Sequence, residues 1–344
     1  MEKPKWIAGN ENKFSEFIDS LNEEDLIAIV SHKADLDGII SAKVVSKVVQ
    51  FSEVFLVDYN DLNKKFITLL KNKGFTKIII TDMNFKNKED INLIEAFAKL
   101  LIIDHHQFKE DFNSEKTVFM NAQGMCAAYL SYSLFSEFKN LKDLEWAVAC
   151  ASLSDWAWKQ NGDFLSDVFS EYGDKFVGTE EDVKKNKFWE FQYSLYLALI
   201  YYKNNIMEFY EMFPEKFEEI GILSEHTLEV QKELNEVLIF FDNERKMVNK
   251  RIFWEFHGKF SLRELLINIK SHEEKNKTFV ICEKSSGIYK CSFRRQDAEE
   301  DVSILAQKLV EVFENSGGGG HKAASGCSFP EKFMSEFLER LEKL

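Results

Sequence analysis

The tripeptide Asp104-His105-His106 ends the apolar run Leu100 to Ile103, so it is expected at the carboxyl end of a buried strand. Two further apolar runs end the same way. Leu26 to Val30 leads into Ser31-His32-Lys33-Ala34-Asp35-Leu36-Asp37-Gly38, and Ile78 to Ile80 leads into Thr81-Asp82. Three strands therefore deliver carboxylates and imidazoles to one sheet edge. In an open parallel sheet that edge is where ligands bind, and carboxylates crowded together need cations to hold their charge. Asp35 and Asp37, one residue apart after a strand, can reach toward two different hard cations, with His32 as a nitrogen ligand. The plainer alternative is that they only cap the following helix. Asp82 is placed to bridge two ions or to serve as a turn residue. Asp155, in Ser152-Leu153-Ser154-Asp155-Trp156, follows a helix and would complete the second set.

The elements that must position these groups are legible in the alternation of short Ile/Val/Leu runs with helical patterns from Leu26 to about Asp155, the signature of βαβ units. The spacing predicts strands over Leu26–Ser31, Glu53–Asp58, Thr76–Thr81, Lys99–Asp104 and Thr117–Met120. Helices are predicted over Gly38–Gln50, Leu62–Lys73, Lys88–Ala98, Gly124–Phe138 and Leu141–Leu153. The region of about 159–222, dense in Phe, Tyr, Trp and Lys, reads as a helical subdomain whose aromatics mostly pack. A long helix follows within 223–250, and 251–344 reads as a smaller α/β domain with strands over Arg251–His257, Lys277–Glu283 and Gly287–Arg294. A helix over Val302–Asn315 and one after Pro330 flank the tetraglycine Gly317 to Gly320. The expected architecture is an α/β parallel-sheet domain, 1–222, joined by a helix, 223–250, to the domain 251–344.

The 344-residue chain carries a net charge of -14, which argues against a surface that grips long DNA or RNA and permits a short anionic substrate held by metal ions. Its five cysteines, Cys126, Cys150, Cys282, Cys291 and Cys327, show no CxxC spacing and are odd in number. Neither a disulfide framework nor a zinc cluster is expected, and a cytoplasmic setting fits. The longest apolar stretch, Tyr193 to Tyr202, is too short to span a bilayer. His226, His257 and His272 have no metal-like company. Trp156 and Trp158 adjoin Asp155, where exposed rings stack bases, although most tryptophans are core.

These motifs, in this order, resemble those of the DHH phosphoesterase family: His32, Asp35 and Asp37 match its first motif, Asp82 its second, Asp104-His105-His106 its third and Asp155 its fourth. The first motif departs in placing two residues between His32 and Asp35. Gly318-Gly319-Gly320-His321 with Ala323-Ala324-Ser325-Gly326 resembles the glycine-rich motif of the associated DHHA1 domain, and Ser292-Phe293-Arg294 its arginine-bearing strand. The resemblance implies two divalent cations, manganese ahead of magnesium. His32, Asp35 and Asp82 would hold one, and Asp37, Asp82, His105 and Asp155 the other. Asp104 would orient its neighbours, His106 would face the scissile phosphate, and Arg294, Gly318, Gly319, Gly320 and His321 would bind substrate. The implied activity is hydrolysis of short oligonucleotides or dinucleotides to 5'-mononucleotides, as in the family's nanoRNase-like members. A RecJ-like single-strand exonuclease and a non-catalytic nucleotide-binding scaffold are the alternatives. A homodimer is permitted, and no membrane partner is expected.

Overall fold

The computed structural model describes residues 4–344, which divide after Thr227 into two compact units. In the first unit α1 (Glu11–Asp19) precedes a parallel sheet of β1 (Ile27–His32), β2 (Ser52–Val57), β3 (Lys77–Thr81), β4 (Lys99–Asp104) and β5 (Thr117–Asn121). Helices α2 (Leu36–Val48), α3 (Lys64–Lys73) and α4 (Lys88–Glu95) alternate with them. The strands predicted from sequence lie within one residue of those found. The order β2-β1-β3-β4-β5 places β1 at the topological switch. Connections leave β1 and β3 toward opposite sides, and the crevice this opens beyond their carboxyl ends is where open α/β sheets hold ligands.

Both faces of the sheet are covered, which explains why its strands read as continuous apolar runs rather than alternating ones. Ile27, Ile29, Ile79, Leu101 and Ile103 pack on one side with α2, α5 (Ala127–Phe135) and α6 (Glu145–Ser154). Ala28, Val30, Ile78, Ile80 and Ile102 pack on the other against Ile67 and Leu70 of α3 and Ile91 and Ile94 of α4. Short helices α7 (Gly162–Glu171), α8 (Glu180–Lys184), α9 (Lys187–Tyr201) and α10 (Ile206–Met212) follow. Phe164, Phe169, Phe188, Phe209 and Phe213 are buried there, so the aromatic stretch is packing. Trp158 belongs to the same core, and His226 stacks on Tyr201 with its Nδ1 2.9 Å from the Tyr202 hydroxyl.

The long helix, α11, spans Ser224–Glu244 and stops short of the predicted end. The chain turns instead into a hairpin of β6 (Lys246–Val248) and β7 (Arg251–Phe256), with Asn249 at φ 54° in the tight turn. The second unit then adds α12 (Arg263–Glu273), β8 (Thr278–Ser285), β9 (Ile288–Arg294), α13 (Val302–Val310), β10 (Gly317–His321), β11 (Ala324–Pro330) and α14 (Met334–Lys343). Helices α1 and α12 lie outside the elements the sequence pattern marks. The six strands form a mixed sheet ordered β10-β11-β9-β8-β7-β6, parallel only between β7 and β8.

One expectation needs correction here, that no disulfide would form. The tetraglycine, for its part, is the edge strand β10, paired antiparallel with β11. Gly320 at φ 145° has Ala324 O and Ser325 Cα only 2.7 Å from where a Cβ would sit, so the strand pairs closely because it lacks side chains. Cys282 and Cys291 form a disulfide, although sequence spacing suggested none. They face each other across the β8–β9 hairpin with Cα atoms 4.0 Å apart, a proximity only strand register creates. Among the described residues, no helix is long and apolar enough to cross a membrane.

Candidate metal centre

The loops at the carboxyl ends of β1, β3 and β4 meet, and a buried hydroxyl network fixes them from below. Ser31 Oγ donates to Gly38 O at 2.7 Å, Ser41 Oγ to Thr81 Oγ1 at 3.0 Å, and Thr81 Oγ1 to Ser31 Oγ at 2.8 Å. Strand β1, helix α2 and strand β3 are thereby tied together. Gly38 is required by close approach: a Cβ there would lie 2.0 Å from His32 O, so only glycine lets α2 start against the end of β1.

Asp35 takes the capping role the sequence left open, whereas Asp37 caps a different helix. Asp35 is the N-cap of α2, accepting from Gly38 N at 3.0 Å through Oδ1, while its Oδ2 lies 3.0 Å from His32 Nδ1. The two residues separating them in sequence do not prevent contact. Asp37 lies in the first turn of α2 but caps α5, accepting from Ala127 N and Ala128 N at 2.7 Å each. Its Oδ2 also stands 3.6 Å from His105 Nε2.

Asp82 occupies the centre. Its backbone is left-handed, φ 57°, a conformation that aspartate adopts more readily than most residues and that recurs at functional sites. The carboxylate is 2% exposed and lies between three imidazoles: His32 Nδ1 at 3.7 Å, His105 Nε2 at 3.3 Å and His106 Nδ1 at 4.0 Å. Its Oδ2 makes no hydrogen bond. On the far side, Asp155 Oδ2 is 3.6 Å from His105 Nδ1. Three groups thus place ligand-capable atoms within a few ångströms: His32, Asp35 and Asp82; Asp37, His105 and Asp155; and Asp82, His105 and His106. Asp104 joins them through its contact with His106, so every motif residue of the first unit lies in this one cluster.

The electrostatics follow from packing acids without cations. Burial, reinforced by Asp35, lifts the Asp82 carboxyl to about 8. Burial also raises Asp37, with Asp82 adding to it, and raises Asp155. Burial works against a charged His32, but its hydrogen bond to Asp35 and the nearby Asp82 carboxylate outweigh it and hold the ring at about 10. Burial likewise opposes a charged His106, and its bond to Asp104 prevails, raising its pKa. Without metal, the site keeps protons where ligands would need to lose them.

Three contributors escape motif reading. Asn84 donates to Asp104 Oδ2, whose other oxygen lies 2.8 Å from His106 Nδ1, so Asn84 and Asp104 fix that ring together. Asn121 Nδ2 donates to His106 O at 3.0 Å. The Tyr59 hydroxyl lies 3.3 Å from His106 Nδ1. Asn84 stands two residues after Asp82, a position that could have flagged it; Tyr59 and Asn121 carry no local signal. In the second unit, Arg294 donates from Nε to Asn268 Oδ1 at 3.0 Å and from Nη2 to Glu264 Oε2 at 3.2 Å, while His321 is exposed at the end of β10.

The family description "DHH family, N-terminal domain" matches residues 26–154, and "DHHA1 domain" matches residues 256–344. The chain is a DHH-family protein. The DHH match spans β1 to α6 and so contains His32, Asp82 and Asp104 to His106, ending one residue before Asp155. Among solved structures, the exonuclease RecJ bound to manganese is similar with 13% identity and a TM-score of 0.70, over 99% of this chain and 94% of that one. The DHH domain of a member of a family of ribosomal proteins follows with 18% identity and 0.66, over 93% and 86%. A pGpG-specific phosphodiesterase from Vibrio cholerae gives 12% and 0.53, over 93% and 98%. At these identities the likeness is one of fold. No curated protein matches the chain.

Proposed function

We propose that this DHH-family protein is a phosphodiesterase that uses two divalent cations to hydrolyse short oligonucleotides or dinucleotides to 5'-mononucleotides. The observation that carries the reading is Asp82, a buried carboxylate ringed by three imidazoles with one oxygen left without a hydrogen bond. Such a group is costly unless a cation meets it, and the mixed carboxylate and imidazole donors suit manganese or magnesium. On this reading His32, Asp35 and Asp82 hold one ion, and Asp37, Asp82, His105 and Asp155 the other. The bound pair would supply a water of lowered pKa and positive charge for the phosphoryl oxygens.

The chain's own groups do the positioning. His106, 42% exposed against 14% for His105, is the imidazole open to substrate. Asp104 anchors its Nδ1, and the raised pKa favours the protonated ring, a donor to a developing phosphoryl charge. In the second unit Arg294 is a fork already oriented by Glu264 and Asn268. The glycines of β10, on a sheet edge, turn half of their N–H groups away from β11, where they would be free to meet an anion beside His321.

The charge of -14 favours short substrates over long polyanions, and a dinucleotide is also the substrate in the name of one relative in fold. Exonuclease action on longer single strands is the second reading, favoured by the likeness to RecJ over 94% of that chain. Turnover of dinucleotides, short RNA and long single-stranded DNA with manganese, beside Asp82→Asn as control, tests both. Fastest turnover of dinucleotides supports the first reading and preference for long strands selects the second. No turnover by the native protein refutes both and leaves the scaffold.

A further inference from the structure

Trp156 combines three properties that packing does not explain. It follows Asp155 at the end of α6 in the left-handed region, φ 56° and ψ 19°, where helices usually place glycine and where a bulky residue is strained. It is 48% exposed, whereas Trp146 and Trp158 on the same stretch of chain are buried. Its ring is nevertheless held: Trp189 packs against it with centroids 5.7 Å apart at 67°, and Lys184 Nζ stands 5.2 Å from the ring centre. Lys184 is fixed in turn by Glu180 at 2.7 Å. Strain kept at an exposed, rigidly supported aromatic points to function.

We propose that Trp156, braced by Trp189 and Lys184, is a stacking platform for a nucleobase next to the scissile phosphate. Its backbone adjoins Asp155, whose carboxylate is 3.6 Å from His105 Nδ1, so Trp156 stands one residue from the metal centre. A flat, half-exposed ring accepts any base through its π-face, and Lys184 adds a cation beside a polyanionic ligand. Selection would be for phosphodiesters that carry a base, without choice among bases. The inference rests on the phosphodiesterase reading for its substrate but not for its binding test.

The test compares native protein, Trp156→Gly and Trp156→Phe on an adenine dinucleotide and on its abasic counterpart, with manganese. Glycine suits the backbone, so Trp156→Gly should unfold at the same temperature or higher. The ratio of kcat/KM for the adenine dinucleotide over the abasic one should fall about 5- to 150-fold in Trp156→Gly, mainly through KM. Trp156→Phe should recover most of it. AMP should quench tryptophan fluorescence in the native protein and lose most of that quench in Trp156→Gly. An unmoved ratio, or a lowered unfolding temperature with both substrates falling together, would overturn the platform and assign Trp156 to packing. If native protein cleaves neither substrate, the phosphodiesterase reading fails, and the AMP titration still decides: a quench lost with Trp156 upholds the platform, while one unchanged by its removal, or absent from native protein, rejects it.

Discussion

Loading the metal centre with manganese at pH 7 should release about two protons per molecule. In the metal-free protein, burial holds Asp82 at about 8, and Asp35 and Asp82 hold His32 at about 10 against the burial of its ring. At pH 7 roughly nine-tenths of Asp82 and nearly all of His32 then carry a proton, and both must give it up to ligate. Asp37 and Asp155, also raised by burial, can only add to that count. The apparent affinity should accordingly rise about a hundredfold per pH unit between roughly 6.5 and 7.5, then more gently once Asp82 ionises on its own above about 8. Titration calorimetry in buffers of low and high ionisation enthalpy reads the proton number directly, since the observed heat shifts by that number times the buffer difference. Asp82→Asn should lower the count by about one and weaken binding. A release below about half a proton, or an affinity flat from pH 6 to 8, would refute the reasoning, because it would mean that the acids at this site are ionised before any cation arrives.

The same shifts act on stability with a definite sign. The folded values of Asp82 and His32 both lie above their unfolded ones, so the native state binds more protons from about pH 4 to 8 through the acid and from about 6.5 to 10 through the ring. The metal-free protein should therefore melt higher at pH 6 than at pH 8.5 in calorimetry, and manganese should close the gap; a reversed order counts against it. Gly38→Ala, which forces a Cβ to within 2.0 Å of His32 O, should cost about 1–3 kcal/mol, roughly 2–12 °C in melting temperature. An unchanged melting curve would show that the β1–α2 junction is looser than described. Asn84→Ala removes the donor to Asp104 and should weaken manganese binding or turnover about 10- to 100-fold while the protein stays folded. A loss under about threefold would free Asn84 of that role.

The amino-acid sequence by itself determined the strands of the first sheet and the residues at their ends. Unbroken Ile, Val and Leu runs can only be buried on both faces, and a polar triplet closing such a run has to emerge at an edge. It also marked Asp104 to His106, Asp82 and Asp155 as groups bound for one place. Tertiary structure alone decided what these groups do to one another. The order β2-β1-β3-β4-β5 brings β1 and β3 side by side, so that Asp82 meets His32 although 50 positions separate them in the chain. Asp37 caps a helix that begins 90 residues further on, a partnership no local pattern encodes. Register across β8 and β9 made neighbours of Cys282 and Cys291, and register with β11 turned the tetraglycine into a strand. Periodicity reports which faces a segment buries, because burial repeats along the chain. The partner a side chain meets depends on strand order and register, which are set by the packing of the whole domain.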